Sequence, residues 1–536
     1  MTLNSGRYAP VTPAAVAEGW TLDRLTQPSR LCGANGLRTG KDGRIYVAQV
    51  AGSQVSAIDP DSGMISTISA RGGSVIAPDD LVFDDDGNLF LTEITEGRVS
   101  MLSSDGSYKV LQGDMPVANP ITYHQGHLIA GECRVGARIM ELDRNGGAPR
   151  VILDNVPMVN AFEVGPDGKL YFPVMGTNEI WRIGLDGGEP EVVAKDLGVP
   201  DSVKFHPDGY IVSTQVHSGQ VLKIDPRTGA QTVLADIGPG LDNVTFVGGR
   251  TFVSHITGSI HEILEPGKVR PLVEKGLQWP LGLAMGEDGA LFVADGGFTY
   301  TLAANETMGG GDLQLAGMIF SNGFPGWVRD VAAAGPGEWI VTTALNTVAR
   351  WWPAREEHEV IASGYDLLMG VAVAPGGAVV FAEAMQGRVL RADGGTITEL
   401  ASGLSRPMGI AVGGDGTVYV AEAGAGRIVK LSGGKAETVL DGLGEPNGLA
   451  LLGSKLFAID ISTHDLVSCD TSGGAGAVIA SELPVGAPTG VVIKPLGGVG
   501  DMCGPMHSFC GLAAGVDGTL YVSGDAEGSV LALRQG

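Results

Sequence analysis

Cysteine is scarce in this sequence. The chain of 536 residues has five, Cys32, Cys133, Cys469, Cys503 and Cys510, odd in number and scattered. That usage excludes a disulfide framework and suits a reducing, cytoplasmic compartment. Cys503 and Cys510 are near enough in sequence to pair, but two free thiols are the simpler reading. Basic residues are also few, 35 Lys and Arg against 60 Asp and Glu, for a formal net charge of −25. Such a charge repels phosphate backbones and anionic lipid, so nucleic acid and membrane surfaces are not expected as partners. A small-molecule substrate or a cation remains, and self-association is left open. No apolar run reaches about 18 residues, so no membrane-spanning helix is expected. The opening stretch MTLNSGRYAPVTPAAVAEG lacks a basic segment followed by an apolar core, so no secretory leader is expected.

What abounds is glycine, with 84 residues, set among short Val, Ile and Leu runs in a chain that is 44% hydrophobic. Regular aliphatic runs broken by Gly, Asp and Pro indicate an all-β protein of short strands and tight turns, and argue against disorder. The length exceeds what one core usually supports, about 250–300 residues. A unit of about 40–45 residues, the period of a propeller blade, recurs from end to end. Examples are PDDLVFDDDGNLFLTEITEGRVSML, VNAFEVGPDGKLYFPVMGTNEIWRI, PDSVKFHPDGYIVSTQVHSGQVLKI and PMGIAVGGDGTVYVAEAGAGRIVKL. Twelve such units can be aligned. Their Asp-Gly and Gly-Gly pairs suit hairpin turns.

The ends decide how the twelve are grouped. The last unit, ending GSVLALRQG, lacks a fourth strand. Segments near Trp20–Gln27 and Lys268–Gly276 each read as a fourth strand. The expectation is two tandem six-bladed β-propellers, each closed by its own N-terminal strand. Residues 1–18 are an N-terminal extension, 19–267 the first and active propeller, and 268–536 a degenerate, supporting one. A single twelve-bladed ring is the alternative.

Each unit's first strand should line a central channel, and its first residue should sit at one mouth. In the first propeller these residues are Asn35, Asp79, Asn119, Asn160, Asp201 and Asp242. In the second they are Leu281, Arg329, Met369, Met408, Asn447 and Cys510. Asn and Asp at strand starts also form local Asx turns. That use predicts the same residues in both halves, and the second half lacks them. Three carboxylates among six oxygen-bearing side chains would repel one another unless protonated or bound to a cation. Ca²⁺ is the expected metal, with Zn²⁺ or Mn²⁺ as alternatives.

The second-strand ends should ring the same face: Gln49, Glu93, Glu132, Val174, Gln215 and His255 in the first half. Glu93–Arg98, Glu383–Arg388 and Glu422–Arg427 read as ion pairs across tight turns. His255 departs from that pattern, and near Asp201 and Asp242 it would be able to move protons near neutral pH. His217 is a weaker candidate. His124, His127 and His206 fall on the opposite face and read as solvated.

The units and the mouth residues together resemble the senescence marker protein/gluconolactonase/luciferin-regenerating enzyme family of six-bladed propellers. VNAFEVGPDGKLYF is similar to the family's Asn-bearing strand start and turn, which implies Asn160 as a metal ligand. PDSVKFHPDGYIVST implies Asp201 as metal ligand and general base. ANPITYHQGHLIAG implies Asn119 beside metal and substrate. The family usually has a Glu in the first blade, where this chain has Asn35, with Asp79 or Asp242 left to restore the charge. That departure argues against a sugar lactone.

The expected function is a metal-dependent hydrolase of a lactone or related ester. Its catalytic groups would be Asp201 and His255. Its metal ligands would come from Asn35, Asp79, Asn160, Asp201 and Asp242. Asn119, Glu132, Gln215, Glu93 and His217 would contact substrate. A non-hydrolytic propeller enzyme (lyase, isomerase or condensing enzyme) and a non-catalytic binding module are the other classes. The long insertion spanning 483–510, with Met502, Cys503, Met506, His507 and Cys510, reads as a lid or inter-ring contact.

Overall fold

The computed structural model describes residues 13–303, 313–319, 321–486 and 509–536. These residues are almost wholly strands and turns, with three single 3-10 turns as the only helices among them. They build twelve antiparallel sheets, eleven of four strands and one of five. The second sheet shows the pattern: Pro78–Phe83, Leu89–Glu93, Arg98–Leu102 and Tyr108–Gln112 lie side by side in chain order.

Local sequence explains these hairpins. In the first sheet the Asp42 carboxylate accepts the N–H of Arg44 at 3.1 Å, around Gly43 at φ +78°. The same Asp-to-N–H bond recurs at Asp105, Asp167, Asp288, Asp415 and Asp517. Such a turn needs a short acceptor side chain and then a residue that tolerates positive φ. Apolar side chains fill the space between sheets, as do Val82, Phe90, Leu111, Ile121, Leu128 and Met140 between the second and third.

Arg30–Gly276 forms one compact unit of six sheets, and residues from Leu277 onward form another together with the segment ending at Ser29. In the first unit, Leu37–Thr39 of sheet one packs against Leu241–Val247 of sheet six. Thr39 N–H donates to Thr245 Oγ1 at 3.0 Å across that contact. In the second unit, Leu283–Met285 packs against both Val328–Gly335 and Leu512–Ala514.

The outer strands differ from the sequence reading, which had each half closed by its own first strand. Lys268–Val273 pairs with Ile260–Glu265 and completes the sixth sheet, not the twelfth. Trp20–Arg24 pairs with the last strand, Trp20 opposite Gln535, and completes the twelfth sheet, not the sixth. Ala15–Val16 adds to the eleventh. The unit boundaries therefore fall at 29/30 and 276/277 instead of 18/19 and 267/268. A short loop explains the exchange. Gly267, at φ +78°, turns Lys268–Val273 straight back on the preceding strand, and local closure costs less chain entropy than a distant pairing. Within the insertion, Met502, Cys503, Met506 and His507 lie outside the described residues. Cys510 is buried and its N–H donates to Asn447 Oδ1 at 2.9 Å.

Candidate functional site

The six inner strands of the first unit bring their starting residues together. Asn35 Nδ2 donates to Asp242 Oδ2 at 3.0 Å, joining sheets one and six. Asn119 Nδ2 donates to Asn160 Oδ1 at 2.8 Å, and Asn160 Nδ2 to Asp201 Oδ2 at 2.9 Å, joining sheets three, four and five. Asp79 joins by charge. Burial and the neighbouring Asp80 push its carboxyl up to about 7. Burial, then Asp242 and Asp79, hold Asp201 well above the usual carboxylate range. Burial and Asp79 do the same to Asp242, partly offset by the bond from Asn35.

Two acceptors in this cluster have no hydrogen-bond partner: Asn119 Oδ1 and Asp201 Oδ1. A buried polar atom left unpaired costs about 1–3 kcal/mol, so such atoms mark places where water or a ligand completes the structure. The donor set is all oxygen, which fits a hard cation. Among the described residues no three His, Cys, Asp or Glu side chains are grouped to hold a metal ion by themselves. A cation here would have to draw on amide oxygens as well, and of these only Asn119 Oδ1 is free: Asn35 Oδ1 accepts Val50 N–H at 3.1 Å, and Asn160 Oδ1 accepts Asn119 Nδ2 and Ala161 N–H at 2.8 Å each.

Three residues further along the same strands lies a second charged layer that reading only the strand starts misses. Arg38 Nε donates to the Leu81 carbonyl at 3.1 Å, Nη2 to that of Ile121 at 3.4 Å, and Nη1 lies 3.7 Å from Glu163 Oε1. Lys204 is buried and its Nζ reaches the Phe162 carbonyl at 3.4 Å. Burial and Arg38 bring its ammonium down to about 8, against the pull of Asp80, Glu163 and Asp201. The third position after each strand start, read across the repeats, would have found this layer.

The remaining expected residues are placed differently. Glu93 accepts from Ile76 N–H at 2.9 Å, Arg98 Nη2 at 2.6 Å and Tyr108 Oη at 2.5 Å. Glu132 is clasped by Arg134, at 2.8 Å, and by Arg138. Gln215 Oε1 accepts from Gly198 N–H at 3.0 Å and its amide donates to Ser213 Oγ at 2.9 Å. These three side chains hold their own sheets and are not free for substrate. His217 is exposed on its turn. His255 Nε2 donates to the Pro239 carbonyl at 2.8 Å, and Nδ1 accepts from Thr257 Oγ1 at 2.8 Å. Burial brings it down to about 4, so it stays neutral and ties its own turn. His206 is not solvated: its ring stacks on Tyr210 with centroids 4.4 Å apart.

Among the described residues, the second unit has no such acidic cluster at its strand starts. Leu281, Met369 and Met408 pack with Phe509 and Val328 in an apolar core. Arg329, in the place of Asp79, donates to the Leu368 carbonyl at 2.9 Å.

No family model matches the chain, and no curated protein sequence matches it. Similar solved structures include a streptogramin B lyase, 18% identical over 51% of this chain and 94% of that one, with a TM-score of 0.38. A gluconolactonase from Xanthomonas campestris is 15% identical over 47% and 95%, and a luciferin-regenerating enzyme 12% over 45% and 89%, each with a TM-score of 0.38. At such identities the reaction has to be argued from the residues of the cluster.

Proposed function

We propose that the two units are closed six-bladed propellers and that the first hydrolyses a lactone or related ester at the Asn/Asp cluster. The observation that carries this reading is the pair of buried, unpartnered oxygens, Asn119 Oδ1 and Asp201 Oδ1, within a cluster that has no counterpart among the described residues of the second unit. A divalent cation, Ca²⁺ first and Zn²⁺ or Mn²⁺ next, would be held by Asp79, Asp201 and Asp242, with Asn35 and Asn160 giving up the hydrogen bonds their amide oxygens accept here to join them, and would polarise the ester carbonyl.

Asn119 orients the attacking water, whose O–H its free amide oxygen accepts. Asp201 would hold the cation through Oδ2, the oxygen that accepts from Asn160, which leaves Oδ1 to move the proton. Asp201 Oδ1 takes a proton from water as the water oxygen bonds to the carbonyl carbon. The proton then passes to the ring oxygen as the C–O bond breaks, giving a hydroxy acid.

The test is a lactone and ester panel run in water enriched in oxygen-18. Chelation should abolish turnover and a divalent ion restore it, and Asp201→Asn should lower the rate by about 10²–10⁴-fold. Solvent oxygen should appear in the acid. Full activity in Asp201→Asn overturns the mechanism, and a product without solvent oxygen overturns hydrolysis in favour of lyase or isomerase chemistry.

A further inference from the structure

A residue just past each second strand of the first unit, one position on in five of the sheets and two positions on in the fifth sheet, occupies a repeated position. These residues are Val50, Ile94, Cys133, Met175, Val216 and Ile256. Five of the six donate their N–H to the carbonyl two residues before the strand-start residue of the same sheet, at 2.8–3.2 Å, as Cys133 does to Val117 at 2.8 Å and Met175 to Met158 at 2.9 Å. The sixth, Val50, donates to the side chain of Asn35 itself at 3.1 Å. Met175 shows how close this row comes to the polar cluster, for its Sδ accepts Asn160 Nδ2 at 3.5 Å. All six are apolar or sulfur-bearing. In the second unit the matching residues are mostly small, with Gly296, Ala344, Ala384 and Ala423 among them.

We propose that these six residues form an apolar collar over the Asn/Asp cluster, and that the substrate is a lactone or ester with an apolar body. Its body lies against Cys133 and Met175 while its carbonyl faces the cluster, where a water donates one O–H to the carbonyl oxygen and the other to the unpartnered oxygen of Asn119, 3% exposed, or Asp201, 5% exposed. A polyhydroxylated sugar lactone would press hydroxyls against side chains that offer them no partner, losing water without compensation. An acid or phosphate group would meet the carboxylates of Asp79, Asp201 and Asp242. Burial and those three carboxylates also push the Cys133 thiol up, in keeping with a sulfur beside the cluster. This inference rests on the functional reading of the same cluster.

Stable lactams separate binding from turnover. The full-length protein is titrated by calorimetry with 3,4-dihydro-2-quinolinone, whose body is apolar, and with D-glucono-1,5-lactam, whose body is polyhydroxylated. The quinolinone should bind at least about tenfold tighter, the discrimination a well-matched apolar pocket gives. Met175→Gln should narrow that ratio. Bound quinolinone should also slow N-ethylmaleimide labelling of Cys133, read by peptide mass spectrometry on the unmutated protein. Equal affinities, a preference for the gluconolactam, or labelling unchanged by saturating quinolinone would overturn the collar. Tight quinolinone binding in a protein that opens no lactone would support the collar and sink the hydrolase reading, so the two fail separately.

Discussion

Asp80 and Asp330 occupy the same place in the second sheet of each unit. Asp80 Oδ2 accepts the N–H of Ile121 at 3.1 Å, and Asp330 Oδ2 that of Val371 at 2.8 Å, each 41 residues ahead. Both backbone N–H groups donate to a threonine hydroxyl, Thr92 and Thr342. This aspartate joins neighbouring sheets in both units, so it belongs to the fold. The residue before it differs: Asp79 in one unit and Arg329 in the other. Comparing strand starts across the repeats exposes that difference directly. It does not expose the role of Asp80, which depends on a backbone group one sheet away. Burial pushes Asp330 up to about 7 from an ordinary 3.8. A carboxyl raised in the folded state stabilises below its unfolded pKa and loses that contribution as pH rises through the folded one. Asp330→Asn should therefore gain stability relative to the unmutated chain as pH rises from about 4 to 7. Urea titrations at pH 4 and pH 8 would measure it, and a pH-independent difference would refute it.

Within each sheet, the end of the second strand carries a lock. Gln49, Glu93, Gln215, Glu383 and Glu422 each accept a backbone N–H 17 residues earlier, in the loop that enters the sheet. The arginine partners of Glu93, Glu383 and Glu422 were legible from their five-residue spacing and are present at 2.5–2.6 Å. The backbone half of the lock was not, because it requires knowing how the entering loop folds back. That half ties Glu93 and Gln215 to the entering loops of their own sheets. The inner strands differ between units in a similar way. Gly370, Gly409, Gly448 and Gly511 of the second unit follow their strand starts, and a side chain at any of them would collide with the next strand's backbone. The first unit has Asp80, Pro120, Ala161, Ser202 and Asn243 at this position and a glycine only at Gly36. Gly409→Ala should destabilise the protein by roughly 1–3 kcal/mol, through overpacking against Asn447. A denaturation midpoint unchanged from the parent would show that the strands can separate freely.

For the whole molecule, the N-terminal segment belongs to the second unit although the first unit follows it in sequence. Trp20 packs edge-on to Phe457 at 6.2 Å, and Arg24 Nε bonds Glu527 Oε1 at 2.7 Å. The strand Trp20–Arg24 covers an edge of the last strand that would otherwise lie open. Deleting residues 1–24 should lower the unfolding temperature of the second unit and leave that of Arg30–Gly276 unchanged. Calorimetry would resolve the two transitions, and a loss confined to the Arg30–Gly276 transition would contradict the pairing.

The sequence by itself determined the all-β class, the twelve-fold repeat, the Asp-Gly turns and the contrast between the two sets of strand starts. These are local or periodic properties, written in residues a few positions apart. Only the tertiary structure decided which outer strand completes which sheet, because Trp20–Arg24 and Lys268–Val273 are both competent strands and loop closure chooses between them. It also decided which polar side chains are occupied. Glu93, Glu132, Gln215 and His255 have the chemistry of site residues, but partners from their own sheets satisfy them, while Asn119 and Asp201 keep an oxygen free. Whether a buried polar group is spent or available depends on its neighbours in space, and those come from sheets that lie tens of residues apart in the chain.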